Sequence, residues 1–116
     1  MKNKISNTSL SQIISKILKG HGISNICISP GSRNVPLIKS FTSDRFFNNY
    51  SHIDERSSGF FALGISKTTN IPAVILTTSG TAVANLLPAV IESDFNKIRE
   101  IFLKTVSGYN PEKMIN

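Results

Sequence analysis

Three times within this chain, a short strand-like run ends in a turn and passes into a segment with helical periodicity. The runs are residues 23–28 (I-S-N-I-C-I), 50–53 (Y-S-H-I) and 72–77 (P-A-V-I-L-T). Their lengths and flanking turn residues predict strands. Before the first run, Leu10, Ile13, Ile14, Ile17 and Leu18 recur at i, i+3, i+4, i+7 and i+8, which predicts one apolar helix face. Thr8 or Ser9 can start that helix, and Gly20 or Gly22 can end it. A second helix is predicted over residues 33–42, with Pro36 in its first turn, the one helical place proline tolerates. A third is predicted over 55–67, with Phe60, Phe61, Leu63 and Gly64 on one apolar side. A fourth is predicted over 82–93, with Asn85 and Pro88 inside it, and residues 98–103 form a last strand. Alternation of this kind predicts an α/β fold: a parallel sheet, right-handed crossovers and helices on both faces. Residues 72–77, apolar on both sides, suit a strand in the middle of such a sheet.

Size and charge narrow the function classes. At 116 residues the chain has the length of one domain. Its single cysteine, Cys27, cannot close an internal disulfide, so a disulfide-framed module is excluded. His21 and Cys27 alone do not make a zinc site, and no metal ligands are expected. The first 15 residues lack an apolar run, so no signal peptide is expected and a cytoplasmic location is. Residues 71–91 are 21 positions without a charge, long enough to span a bilayer. They also carry Thr77, Thr78, Ser79, Gly80, Thr81, Asn85 and Pro88, which would sit at membrane depth. A buried strand, a turn and a buried helix are the expectation there, and no membrane partner. The net charge of +6 comes wholly from residues 1–43, which hold six bases and no acid. Nucleic-acid binding combines such a basic track with aromatic platforms. This stretch offers only Phe41, so a solvated basic surface is expected and no nucleic-acid partner.

In open α/β sheets, ligands bind beyond the carboxyl ends of the strands. Three segments are predicted to lie there, each ending a strand and opening a helix: Ser29-Pro30-Gly31-Ser32-Arg33, Asp54-Glu55-Arg56 and Thr78-Ser79-Gly80-Thr81. Helix N-termini in such places favour anions. Arg33 can hold a carboxylate or phosphate bidentately, or it can simply be solvated while Ser32 caps a helix. The turn is neither a phosphate loop nor a dinucleotide fingerprint, and Ser32 is not a nucleophile elbow. Acidic residues suit a helix start, so capping accounts for one carboxylate of the Asp54-Glu55 pair and leaves the other unexplained.

Taken together, the three segments carry a resemblance. I-S-P-G-S-R (28–33), H-I-D-E-R-S-S-G-F-F-A-L-G (52–64) and T-T-S-G-T-A-V-A-N-L-L-P-A (77–89) resemble the N-terminal, pyrimidine-binding domain of the thiamine-diphosphate-dependent decarboxylase and synthase superfamily. The S-P-G-S-R turn is characteristic of its menaquinone-pathway carboligases, and the resemblance runs from about residue 10 to residue 92. It implies that Glu55 is the catalytic carboxyl group that bonds N1′ of the cofactor's aminopyrimidine. It implies that Ser32 and Arg33 meet substrate carboxylates. Pro30, Thr78, Ser79, Gly80, Thr81 and Asn85 then line the pyrimidine side. The implied substrates of the parent enzyme are 2-oxoglutarate and isochorismate, joined with loss of CO₂. The implied cofactors are thiamine diphosphate and Mg²⁺. The implied partner is the diphosphate-binding domain of another subunit in a homo-oligomer.

The chain departs from that family pattern in two ways. It has no G-D-G…N motif, which in the family holds Mg²⁺ and the diphosphate on a separate domain. The family's A-D-R-P turn, whose arginine serves the substrate, has no counterpart in residues 101–112. Residues 1–104 are therefore expected to form the N-terminal part of a pyrimidine-binding domain, and 105–116 a diverged tail. The expectation is a truncated or split gene product. A catalytically inactive remnant or binding domain of the same fold, or a relative of the acetolactate synthases, stands as the alternative.

Overall fold

The computed structural model describes residues 7–31, 34–78 and 81–104. The order is α1 (Asn7–Gly20), β1 (Asn25–Ile28), α2 (Val35–Thr42), β2 (Asn48–Ser51), α3 (Glu55–Thr69), β3 (Ala73–Thr77), α4 (Thr81–Ala84), α5 (Leu87–Phe95) and β4 (Glu100–Lys104). The four strands form one sheet in the order β2-β1-β3-β4, every pair parallel. The α/β class and the helix coverage of both faces agree with the alternation in the sequence.

Strand alternation divides the core into two layers. Ile26, Ile28, Val74 and Leu76 point to one face, where they pack with Leu18, Leu37, Phe41 and Phe47 from the α1–α2 side. Cys27, Ala73 and Ile75 point to the other, where they pack with Ala62 of α3 and with Leu86, just before α5. Every residue of β3 is buried, as its apolar run predicts for an interior strand.

Three helices and one strand differ from expectation, each for a packing reason. In α1 the buried positions are Ser11, Ser15 and Leu18, while Leu10, Ile13 and Ile17 are exposed. The serines let α1 approach α2 closely, and Ser40 of α2 donates to the Ser11 carbonyl at 3.2 Å. In α3 the buried stripe is Ser58, Gly59, Ala62, Leu63 and Ser66, while Phe60 and Phe61 are partly exposed. A Cβ on Gly59 would stand 2.9 Å from the Ala89 Cβ, so small residues set the approach of α3 to α5. The single helix expected over 82–93 is two helices. Pro88 lies in the first turn of α5, where it lacks the N–H that would continue α4. The second strand lies two residues earlier than 50–53, because β2 takes its register from β1, with Asn25 opposite Asn48 and Ile28 opposite Ser51. Ile53 is consequently 99% exposed. No helix among the described residues is long and apolar enough to cross a membrane, and the charge-free stretch 71–91 contains β3, α4 and most of α5.

Candidate functional site

The strand order changes direction between β1 and β3. From β1 the chain moves to β2 on one side, then crosses back to β3 on the other. The loops that leave the carboxyl ends of β1 and β3 therefore flank a topological switch point, the place where open α/β sheets bind ligands.

The loops that leave β1 and β2 begin on ladder hydrogen bonds. The Ser29 N–H donates to the Leu76 carbonyl at 2.9 Å, and the His52 N–H donates to the Ile28 carbonyl at 2.8 Å. Beyond Ser29, the loop is latched by Asn34, which is fully buried. Its Oδ1 accepts from the Gly31 N–H at 3.0 Å, and its Nδ2 donates to the Ser29 carbonyl at 3.1 Å. Asn34 thus spends its side chain on the turn, and as the N-cap residue of α2 makes no capping bond. Gly31 then touches Thr78 of the neighbouring loop so closely that a Cβ at Gly31 would overlap the Thr78 methyl. This is the close approach that glycine alone permits.

The start of α3 forms the third side. Asp54 is its N-cap in extended conformation and accepts from the Arg56 N–H at 3.3 Å and the Ser57 N–H at 3.2 Å. The Ser57 hydroxyl also donates to Asp54, at 2.8 Å. That hydroxyl, with the two backbone N–H groups, holds the Asp54 carboxyl below its ordinary range. Glu55, the first residue of the helix, is half-buried, and its carboxylate forms no hydrogen bond or ion pair with the described residues. Of the two adjacent carboxylates, one caps the helix and the other is uncommitted.

The other sequence-derived positions divide. Pro30 is exposed on the β1 loop, and Thr78 is half-buried against Gly31. Thr81 opens α4 and is exposed, and Asn85 is exposed between α4 and α5. Ser32, Arg33, Ser79 and Gly80 lie outside the described residues. The sequence reading missed Asn34, although an asparagine closing a Pro-Gly turn is a recognisable local signal. It also missed Ser29, His52, Ser58 and Thr77, each of which holds a buried polar atom with no partner among the described residues, because each passes singly for an ordinary strand or helix residue.

Comparison with known proteins agrees with this geometry. Residues 8–111 match the family described as thiamine pyrophosphate enzyme, N-terminal TPP binding domain, thiamine pyrophosphate being thiamine diphosphate. The chain is 40% identical over 116 residues to a 2-succinyl-5-enolpyruvyl-6-hydroxy-3-cyclohexene-1-carboxylate synthase of Proteus mirabilis, covering 100% of this chain and 20% of that protein. The synthase of the same name from Aliivibrio fischeri is 42% identical over 105 residues, covering 90% of this chain and 18% of that one. The one from Chloroflexus aurantiacus is 42% identical over 90 residues, covering 78% and 15%. The chain thus spans about a fifth of the length of these curated relatives. An α/β sheet with its loops joined at the switch point, and a family match over nearly all its residues, show that this chain belongs to the thiamine pyrophosphate enzymes as an N-terminal TPP-binding domain.

Proposed function

We propose that the chain forms the pyrimidine side of a thiamine diphosphate site in a carboligase that joins 2-oxoglutarate to isochorismate in menaquinone biosynthesis. The observation that carries the reading is the uncommitted Glu55 carboxylate at the start of α3, on the carboxyl edge of the sheet. The names of the relatives supply the particular reaction. The described residues fit an aminopyrimidine: a carboxyl group without a partner among them opens α3 at the carboxyl edge of the sheet, and the neighbouring loops meet at Gly31 and Thr78 with no bulky side chain between them.

In this reading Glu55 shares a proton with the ring nitrogen N1′. Asp54 keeps Glu55 free for that task by taking the capping bonds itself. Pro30, Thr78, Ser79, Gly80, Thr81 and Asn85 would border the ring, and Asn34 holds the shape of the β1 loop that would meet it. Ser32 and Arg33 receive carboxylates of the substrates, a role suited to the forked guanidinium donors. When bound, thiamine diphosphate supplies the electron sink for decarboxylation. Groups for Mg²⁺ and the diphosphate come from a diphosphate-binding domain, and the enzyme works as a cytoplasmic homo-oligomer.

The test is a hybrid enzyme in which this chain replaces the matching N-terminal segment of the Proteus mirabilis relative. CO₂ release from 2-oxoglutarate, dependent on isochorismate, is the expected activity. Glu55→Gln in the hybrid should lower turnover by about 10²–10⁴-fold, the usual worth of a positioned proton-transfer group. A folded hybrid with no turnover, or a Gln variant as active as its parent, overturns the reading in favour of a non-catalytic domain.

A further inference from the structure

Four buried polar atoms at the carboxyl end of the sheet have no hydrogen-bond partner among the described residues: the hydroxyls of Ser29, Ser58 and Thr77, and Nδ1 of His52. The three hydroxyl residues are 3%, 0% and 1% exposed. Folded proteins leave few such groups unpaired, and each asks for an explanation.

Their placement is not scattered. Ile28 is opposite Ser51 in β2 and Leu76 in β3, so the next residues, His52, Ser29 and Thr77, extend one row across three neighbouring strand ends. In a parallel sheet, residues in register point to the same face. That face is the one of Tyr50, Cys27 and Ile75, two positions earlier, which α3 and α5 cover. Ala62 of α3 packs at the level of Cys27 and Ile75. Ser29 and Thr77 lie two strand residues beyond that level, about 6.6 Å. Ser58 lies one turn before Ala62 on a helix running the opposite way, about 6 Å. Ser58 therefore stands over the row, and the joined loops at Gly31 and Thr78 close it from above.

Neighbouring strands are about 4.8 Å apart, too far for one hydroxyl to bond the next directly. Two hydrogen bonds of about 2.8 Å meeting at a shared oxygen span that gap. Each hydroxyl offers one donor and two acceptor positions, so a bridging molecule that both donates and accepts matches them all. We propose that Ser29, Ser58 and Thr77, flanked by His52, form an internal hydration site. Its ordered water ties the first turns of α3 to the ends of β1 and β3. The turn so tied carries Glu55 three residues before Ser58. The tether does not depend on what the cleft above it binds.

A high-resolution crystal structure of the chain should show a water within about 2.6–3.2 Å of at least two of the three hydroxyls. Ser58→Ala and the near-isosteric Thr77→Val should each lower Tm by about 4–8 °C, the shift expected for one lost buried hydrogen bond in a domain of this size. Thr77→Ser, which keeps the hydroxyl, should retain the water. If the hydroxyls are simply unpaired, the density between them will be empty and both apolar variants will raise Tm. Either result overturns the proposal. Should a variant fail to fold, the density in the parent decides alone.

Discussion

Asp54 and Glu55 are neighbours of the same chemical type with separable tasks, and substitution can show it. Asp54 holds three donors at the N-terminus of α3. Its carboxyl sits below the ordinary range, so its contribution to stability is present above the pH at which an unfolded carboxylate titrates and is lost as pH falls through its folded value. Asp54→Ala should lower Tm at pH 7, and the loss should shrink on acidification. Glu55→Gln, with no partner among the described residues to lose, should leave Tm unchanged. Equal losses in a thermal scan would show that Glu55 is structural. The Gly31–Thr78 contact makes a second residue-scale prediction. Gly31→Ala overpacks the loop junction and should cost about 1–3 kcal/mol. Thr78→Ser removes the obstructing methyl and should recover most of that loss in a double-mutant cycle measured by chemical denaturation.

Among the elements, β4 carries a buried carboxylate. Glu100 is partly exposed as a residue, yet both its carboxylate oxygens are buried without a partner among the described residues. Burial pushes its carboxyl up to about 7. The same burial, with a smaller contribution from the Glu100 charge, pushes the Cys27 thiol up to about 12, so Cys27 should resist thiol reagents until the chain unfolds. A raised carboxyl means that the folded state holds the proton more tightly than the unfolded one. Stability from Glu100 is therefore complete below the ordinary carboxylate range and is lost as pH rises through about 7. Tm should fall as pH rises from the ordinary carboxylate range to about 7 and level off above it, and Glu100→Gln should raise Tm at pH 8 and flatten that slope. A slope unchanged in the Gln variant would place the titration elsewhere.

At the scale of the whole molecule, many large apolar side chains among the described residues are exposed. Leu10, Ile13 and Ile17 form an exposed stripe on α1, and Leu87, Ile91 and Phe95 form another on α5. The second stripe borders a cavity of about 400 Å³ between α4, α5 and the strands β3 and β4, lined by Val83, Leu86, Leu87, Val90 and Phe102 among others. Contiguous apolar patches on this scale mark surfaces that associate. The isolated chain should therefore self-associate with concentration in sedimentation velocity. Ile91→Glu with Phe95→Asn should shift it toward monomer if the α5 face is responsible. A chain that stays monomeric throughout would show that these stripes are tolerated in water.

Local pattern determined much of this protein by itself. Alternating β-branched runs and helical periods dictated an α/β sheet, because strand and helix periods differ over only a few residues. The turn chemistry of Pro30-Gly31, Asp54-Glu55 and Thr78 marked where three strands hand over to helices, and the resemblance carried by those turns agrees with the family match. The rest depended on what packs against what. Leu10, Ile13, Ile14, Ile17 and Leu18 satisfy the apolar period of α1, yet only Ile14 and Leu18 pack against the core, while Ser11 and Ser15 take the buried positions against α2, since close helix approach rewards small side chains over large ones. The β2 register came from β1, because an edge strand with one half-buried side chain has little apolar pattern of its own. Only the assembled sheet put Ser29, His52 and Thr77 in one row at the strand ends. They lie far apart along the chain, and no local period relates residues on different strands.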